Sequence, residues 1–374
     1  MIWLDSAATT FQKPPEVARA CQEAMATMST PGRGAYPEAL RAAETALQCR
    51  EELAELFGVS SPERVVFTLN ATHALNLAIK SLVPPGGRVV ISGYEHNAVT
   101  RPLTALGAEI RVADVPLFQE AACIKTYERL MTPDVHAVIC NHVSNVFGFI
   151  QPVEAIGALC RKRGIPLIVD ASQSAGTVPL DMEKLGAAFV AMPGHKGLYG
   201  PQGTGVLLCG EGTKTRTLLE GGTGSASLRQ KMPEFLPDRL ESGTHNMPGI
   251  AGLLEGVRYV RRRGVEDICA SERRLAMQAA KGLGEIPGVR VFALSGLRDQ
   301  TAVLSFLSEK MGPEALGDAL GQRGIAVRAG LHCAPLAHRT AGTLATGTVR
   351  VSFSAFNTPE EVRRFLTALG DILG

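Results

Sequence analysis

Between residues 65 and 169 the chain repeats one unit, a short apolar run followed by a turn and then a stretch with helical spacing. The strand candidates are residues 65–67, 89–91, 110–112, 135–139 and 166–169, and the helix candidates between them are 72–82, 98–106, 122–131 and 153–163. A crossover of this length is what returns a chain to the same end of a parallel sheet. The alternation predicts an α/β fold whose mostly parallel sheet is covered on both faces, with ligands at the carboxyl ends of its strands. Residues 188–191 and 205–208 follow with no helix between them and predict a hairpin-like pair around a glycine-rich loop.

The flanks read as follows. Ile2-Trp3-Leu4 opens as a strand, 15–28 as a helix broken by Pro31-Gly32-Arg33-Gly34, and 37–57 as a second helix ending at Gly58. Helices at 250–262 and 265–283 lead into short strands and helices at 289–291, 301–306, 313–320, 325–328, 348–352 and 359–373. A chain of 374 residues accommodates two cores. The expected division is a large domain over 13–254 and a small C-terminal α/β domain over 255–374, joined by the N-terminal segment 1–12.

A net charge of +2, with basic residues scattered apart from short runs such as Arg261-Arg262-Arg263, gives no footprint for nucleic acid or an anionic membrane. No apolar window approaches the roughly 20 residues of a spanning helix, and no signal peptide is visible. The eight cysteines form no Cys-x-x-Cys pair, which argues against a disulfide framework or a metal site. A reducing cytoplasm is the expected compartment.

The glycine-rich loop Pro193-Gly194-His195-Lys196-Gly197 offers one lysine between small residues. Pyridoxal phosphate (PLP) needs a lysine amine, a carboxylate at its ring nitrogen, donors for its phosphate and a group over its ring. Lys196 reads as the Schiff-base lysine. Asp170, after the run 166–169, stands where a strand delivers a carboxylate into the crevice, although a helix-cap or turn role suits it equally. The amides of Ala71 and Thr72 and the Thr72 hydroxyl, at a strand-to-helix turn, suit an anion, with a plain N-cap as the alternative. His96 stacks on a ring or is simply solvated; His195 reaches a phosphate or packs. In Arg328-Ala329-Gly330-Leu331-His332-Cys333, a loop cysteine beside histidine and near arginine is expected to be more exposed and more readily ionised than Cys21, Cys49, Cys160 or Cys269 in helical patterns.

With Leu4-Asp5-Ser6-Ala7-Ala8-Thr9, His142-Val143-Ser144-Asn145, Asp170-Ala171-Ser172-Gln173, Gly194-His195-Lys196 and Glu241-Ser242-Gly243-Thr244-His245-Asn246, the chain resembles the class V aminotransferase superfamily of fold-type I PLP enzymes nearly end to end. Within it the chain is similar to the cysteine desulfurases and selenocysteine lyases, and to their group II in the short loop at Cys333. The resemblance implies a seven-stranded sheet and a homodimer with shared active sites. It gives Lys196 the cofactor, Asp170 the pyridine nitrogen, Gln173 the phenolic oxygen, His96 the ring face, and Thr72 and His195 the phosphate. Asn145 and Arg350 would bind the substrate carboxylate region, Thr244 would reach the partner's phosphate, Cys333 would be the nucleophile and Arg328 the arginine before it. The implied reaction takes L-cysteine to L-alanine and leaves a persulfide on Cys333 for an acceptor protein. A lyase or aminotransferase acting on selenocysteine or cystine is the alternative, and a non-catalytic sulfur-relay or scaffold subunit a second. Pro193 stands where group II usually has serine, Leu331 where it has histidine, and Ala71 and His73 where threonine and glutamate are common.

Overall fold

In the computed structural model, which describes residues 1–32 and 34–374, five strands of the central sheet are buried along almost their whole length. Arg33, in the break expected at Pro31 to Gly34, lies outside the described residues. The sheet has seven strands in the order Val65–Thr68, Gly205–Cys209, Phe189–Pro193, Leu167–Asp170, Ala137–Asn141, Arg88–Ser92, Glu109–Ala113. All pairs are parallel except the two made by Gly205–Cys209. Alternate residues enter opposite cores: Val138 and Val169 pack on one face with Leu53 and Leu253, while Ala137, Ile139 and Ile168 pack on the other with Leu75 and Val99. A strand with both faces buried shows no polar alternation, which is why these segments are continuous apolar runs in the sequence.

The strand expected at 135–139 begins two residues later, at Ala137, and ends in Asn141. Its polar end is thereby carried to the same edge as Ser92, Asp170 and Pro193, each the last residue of its own strand. Phe189–Pro193 and Gly205–Cys209 form the expected antiparallel pair, with Pro193 opposite Gly205.

The second core gathers helices Val265–Gly284, Pro313–Gln322 and Pro359–Leu373 against a four-stranded antiparallel sheet in the order Arg328–Gly330, Thr348–Ser352, Val303–Ser308, Val289–Phe292. Ile2 and Leu4 belong to this core, and Ile2–Trp3 pairs in parallel with Ile325–Ala326. The single strand expected at 325–328 is therefore two, in different sheets, with Val327 between them. Residue 255 falls inside the continuous helix Met247–Arg263. No helix among the described residues is long and apolar enough to cross a membrane.

Candidate active site

At the carboxyl edge of the large sheet lies an open cavity of about 550 Å³, lined by Ala71, Thr72, His96, Asn145, Asp170, Gln173, His195 and Lys196 together with Pro193, Asn141 and Ser172. Sequence reasoning selected the first eight, and the structure brings them together. Helix Ala71–Leu82 supplies one wall. Its N-cap is Asn70, whose side chain accepts from His73 N at 2.9 Å, so Thr72 is exposed and free of that task. Among the described residues the amides of Ala71 and Thr72 have no hydrogen-bond partner, leaving donors at the positive end of a 12-residue helix. His96 caps the next helix, Asn97–Ala105, its Nδ1 accepting from Ala98 N at 3.0 Å.

Asp170 performs its turn role and keeps an oxygen to spare. Oδ1 accepts from Ser172 N at 2.9 Å and from the Ser172 hydroxyl, while among the described residues Oδ2 has no partner. Gln173 is oriented by donating Nε2 to Ala7 O at 2.9 Å. Lys196 leaves the loop at Gly197, where a Cβ would stand 2.3 Å from Ala175 O, so glycine is required for the loop to lie this close to its neighbour. Burial, then the Arg350 charge, push the Lys196 amine down to about 8, against the opposing pull of Asp170. His195 is pushed to about 4 by burial and then by Lys196. It is therefore a neutral ring, with Nδ1 and Thr9 Oγ1 3.0 Å apart.

Arg350 is 1% exposed and directly opposite Arg328 on the neighbouring strand. Its Nη2 donates to Asp5 Oδ1 at 2.6 Å and its Nη1 to Asn145 O at 2.9 Å, while Nε is buried with no partner among the described residues. Asn145 Oδ1 is likewise buried and unpaired. This guanidinium hydrogen and this amide oxygen are open valences for a ligand that both accepts and donates.

The Cys333 loop docks on this cavity from the small core. Asn145 Nδ2 donates to His332 O at 2.9 Å and Asn97 N donates to Cys333 O at 2.8 Å. Cys333 is exposed, whereas burial pushes Cys49, Cys123, Cys160 and Cys209 up to about 12. The expected help from the adjacent histidine is corrected by the geometry. His332 is buried, its Nε2 lies 3.1 Å from Thr348 O, and burial followed by Arg350 hold it down to about 2. A neutral ring turned into the core cannot support a thiolate. The contact to the sulfur comes from Arg328, whose Nη2 is 3.6 Å from Sγ. Thr244 stands apart, on a separate open cavity of about 680 Å³ with Phe67, Gly203 and His245. No group of three or more His, Cys, Asp or Glu among the described residues is placed to hold a metal ion.

Sequence reasoning gave no roles to Asp5, Ser172, Asn97 or Asn141. Ser172 was within reach, two residues from Asp170. Asp5 pairs with a residue 345 positions away, and no local spacing reports such a contact.

The family model described as Aminotransferase class-V matches residues 2–365. A probable cysteine desulfurase of Mycolicibacterium paratuberculosis is 36% identical over 99% of this chain, and one of Methanothermobacter thermautotrophicus is 32% identical over all of it. The chain spans 55% of the length of the first and 95% of the second. Among solved structures, the apo cysteine desulfurase of Thermococcus onnurineus superposes with a TM-score of 0.90 at 29% identity, covering 100% of this chain and 94% of that one.

Proposed function

The chain belongs to the class V aminotransferase family, and on that premise we propose that it is a PLP-dependent cysteine desulfurase. The family implies PLP, and the residues present fit it: two free amides at a helix start, an unpaired carboxylate oxygen on Asp170, and an amine held near neutrality on Lys196. Ala71, Thr72 and His195 would hold the phosphate, Asp170 and Gln173 the ring heteroatoms, and His96 the ring face. Bound there, PLP supplies an electron sink conjugated to the substrate's Cα.

The remaining work falls to the chain. Asp170 keeps a proton on the ring nitrogen. Arg350 Nε and Asn145 Oδ1, both buried and unpaired, orient the substrate's carboxylate and its neighbouring donor. Lys196, as a free amine, takes the Cα proton. The Cys333 thiolate, beside Arg328, attacks the sulfur of L-cysteine: an S–S bond forms and the Cβ–S bond breaks. Its electron pair passes to Cβ, which is protonated; Lys196 returns its proton to Cα to give L-alanine, and Cys333 retains the sulfur as a persulfide. An acceptor protein would take that sulfur, in the cytoplasm. Thr244, outside its own chain's cavity, suits the phosphate of a partner subunit in a homodimer. The large and small domains proposed for 13–254 and 255–374 would then divide the task between them.

The observation that carries this reading is the docking of an exposed thiol onto the lysine cavity through Asn145 and Asn97, with a guanidinium 3.6 Å from its sulfur. The test is PLP-loaded protein given L-cysteine and L-selenocysteine side by side, with alanine, sulfide and selenide measured. The reading expects alanine and a protein-bound persulfide from cysteine. Alanine from selenocysteine alone would transfer the chain to the lyases, and no product from either would support a relay or scaffold.

A further inference from the structure

Beneath the cavity lies a carboxyl to which none of these roles is assigned. Glu95 is fully buried, in the turn between the end of Arg88–Ser92 and the capping residue His96. Its Oε1 lies 2.6 Å from Ser92 Oγ and accepts from Asn141 N at 2.8 Å. Its Oε2 is buried with no partner among the described residues. Asn141 lines the cavity and is paired in register with Asp170.

The hydrogens around Ser92 do not balance if Glu95 is ionised. Ser92 Oγ is also 2.8 Å from Asn141 Oδ1 and accepts from Tyr94 N at 3.1 Å. The Asn141 amide cannot be turned round, because its Nδ2 donates to Tyr94 O at 2.8 Å. One hydroxyl hydrogen therefore serves two short oxygen contacts, and a second hydrogen must come from the carboxyl. No Lys or Arg pairs with Glu95 among the described residues. The titratable groups around it are Asp170, Cys140 and Tyr127, with His96 adjacent in sequence. An anionic Oε2 here would be desolvated with no donor, which is far costlier than a neutral carbonyl oxygen in the same place.

We propose that Glu95 is carried as the neutral acid and acts as a positioning residue, its hydrogen completing the Ser92–Asn141 chain that fixes the strand ends beside Asp170 and the turn presenting His96. Burial, opposed by the Ser92 hydrogen bond and reinforced by Asp170, pushes the carboxyl up to about 8. The native state thus holds a proton that the unfolded chain releases near 4.5. This contribution to stability is fully present below the unfolded value, is lost as pH rises towards 8, and is level above it. The positioning role rests on the cofactor reading, while the protonation state does not.

The experiment compares wild type, Glu95→Gln and Glu95→Ala. Thermal unfolding of the apo-proteins is followed from pH 4.5 to 9.5, together with PLP affinity from the visible band. The expected result is a wild-type Tm that falls by a few °C relative to Glu95→Gln up to pH 8 and then runs parallel to it. PLP affinity of the wild type should fall about tenfold by pH 9 relative to Glu95→Gln, since about nine-tenths of a group titrating near 8 is ionised there. Glu95→Gln should bind PLP at pH 6 within a few-fold of wild type, and Glu95→Ala more weakly. Parallel Tm profiles throughout would overturn the neutral acid. Glu95→Gln failing at pH 6, where the wild-type acid is neutral, would overturn the positioning role. Failure of wild type to bind PLP at any pH would overturn the cofactor reading and the positioning role with it, and the Tm comparison would still decide the protonation state.

Discussion

The loop carrying Lys196 lines the cavity and the loop carrying Cys333 is tied to its wall through Asn145, but the two are built on opposite plans. The lysine loop is closed at its base by two fully buried strands, with Gly194 N donating to Thr204 O at 2.9 Å and Gly200 N to Gly194 O at 2.8 Å. The cysteine loop leaves a three-residue strand and places His332 at φ +49° and Cys333 at φ +56°. Positive φ is uncommon for residues with a Cβ, and such strain costs about 1–3 kcal/mol per residue. It is offset by the His332 ring in the core and by the two hydrogen bonds from Asn145 and Asn97. The contrast follows from the chemistry asked of each. An amine that must be neutral benefits from burial, which lowers its pKa; under the proposed function, a sulfur passed to an acceptor has to remain exposed.

The comparison is broken most severely by Lys196→Ala. It should abolish the visible band of PLP-loaded protein and reduce alanine formation by about 10³-fold or more, since both the attachment point and the base are lost. Intact turnover would place the amine elsewhere. Arg328→Ala should leave the band in place and slow alanine formation about 10- to 100-fold, the worth of a charge-assisted hydrogen bond of about 1.5–3 kcal/mol. A change in the band would show that Arg328 serves the cofactor rather than the sulfur. The smallest effect is on pH. With the amine near 8, its neutral fraction rises with pH through that value, so the rate of PLP capture by apo-protein should increase about tenfold between pH 7 and 9 and then level. A rise continuing to pH 10.5 would mean that burial has not lowered the amine.

The two regions also differed in how far the sequence exposed them. The lysine side was legible because its residues sit at strand ends and helix starts: the buried runs before Asp170 and Lys196 and the turn at Asn70 announce their own positions. On the cysteine side the sequence sets both a histidine and an arginine near Cys333 and does not tell which of them meets the sulfur. His332 is adjacent to Cys333 in sequence, but positive φ at both residues turns the imidazole into the core while the thiol stays out. Arg328, two strand residues and a turn away, reaches the sulfur instead. The split of 325–328 between two sheets was hidden for a similar reason, because each piece is completed by a partner far away, Ile2–Trp3 for one and Thr348–Ser352 for the other. Helix Pro335–Thr340, behind the cysteine, is six residues long and too short to show a periodic face.

The division of labour between these loops is tested most directly by Cys333→Ala, loaded with PLP and given L-cysteine. The account predicts that the visible band is retained and that alanine and protein-bound persulfide are both lost. Alanine formed at the wild-type rate would contradict it, and would leave Lys196 as the centre of a different reaction.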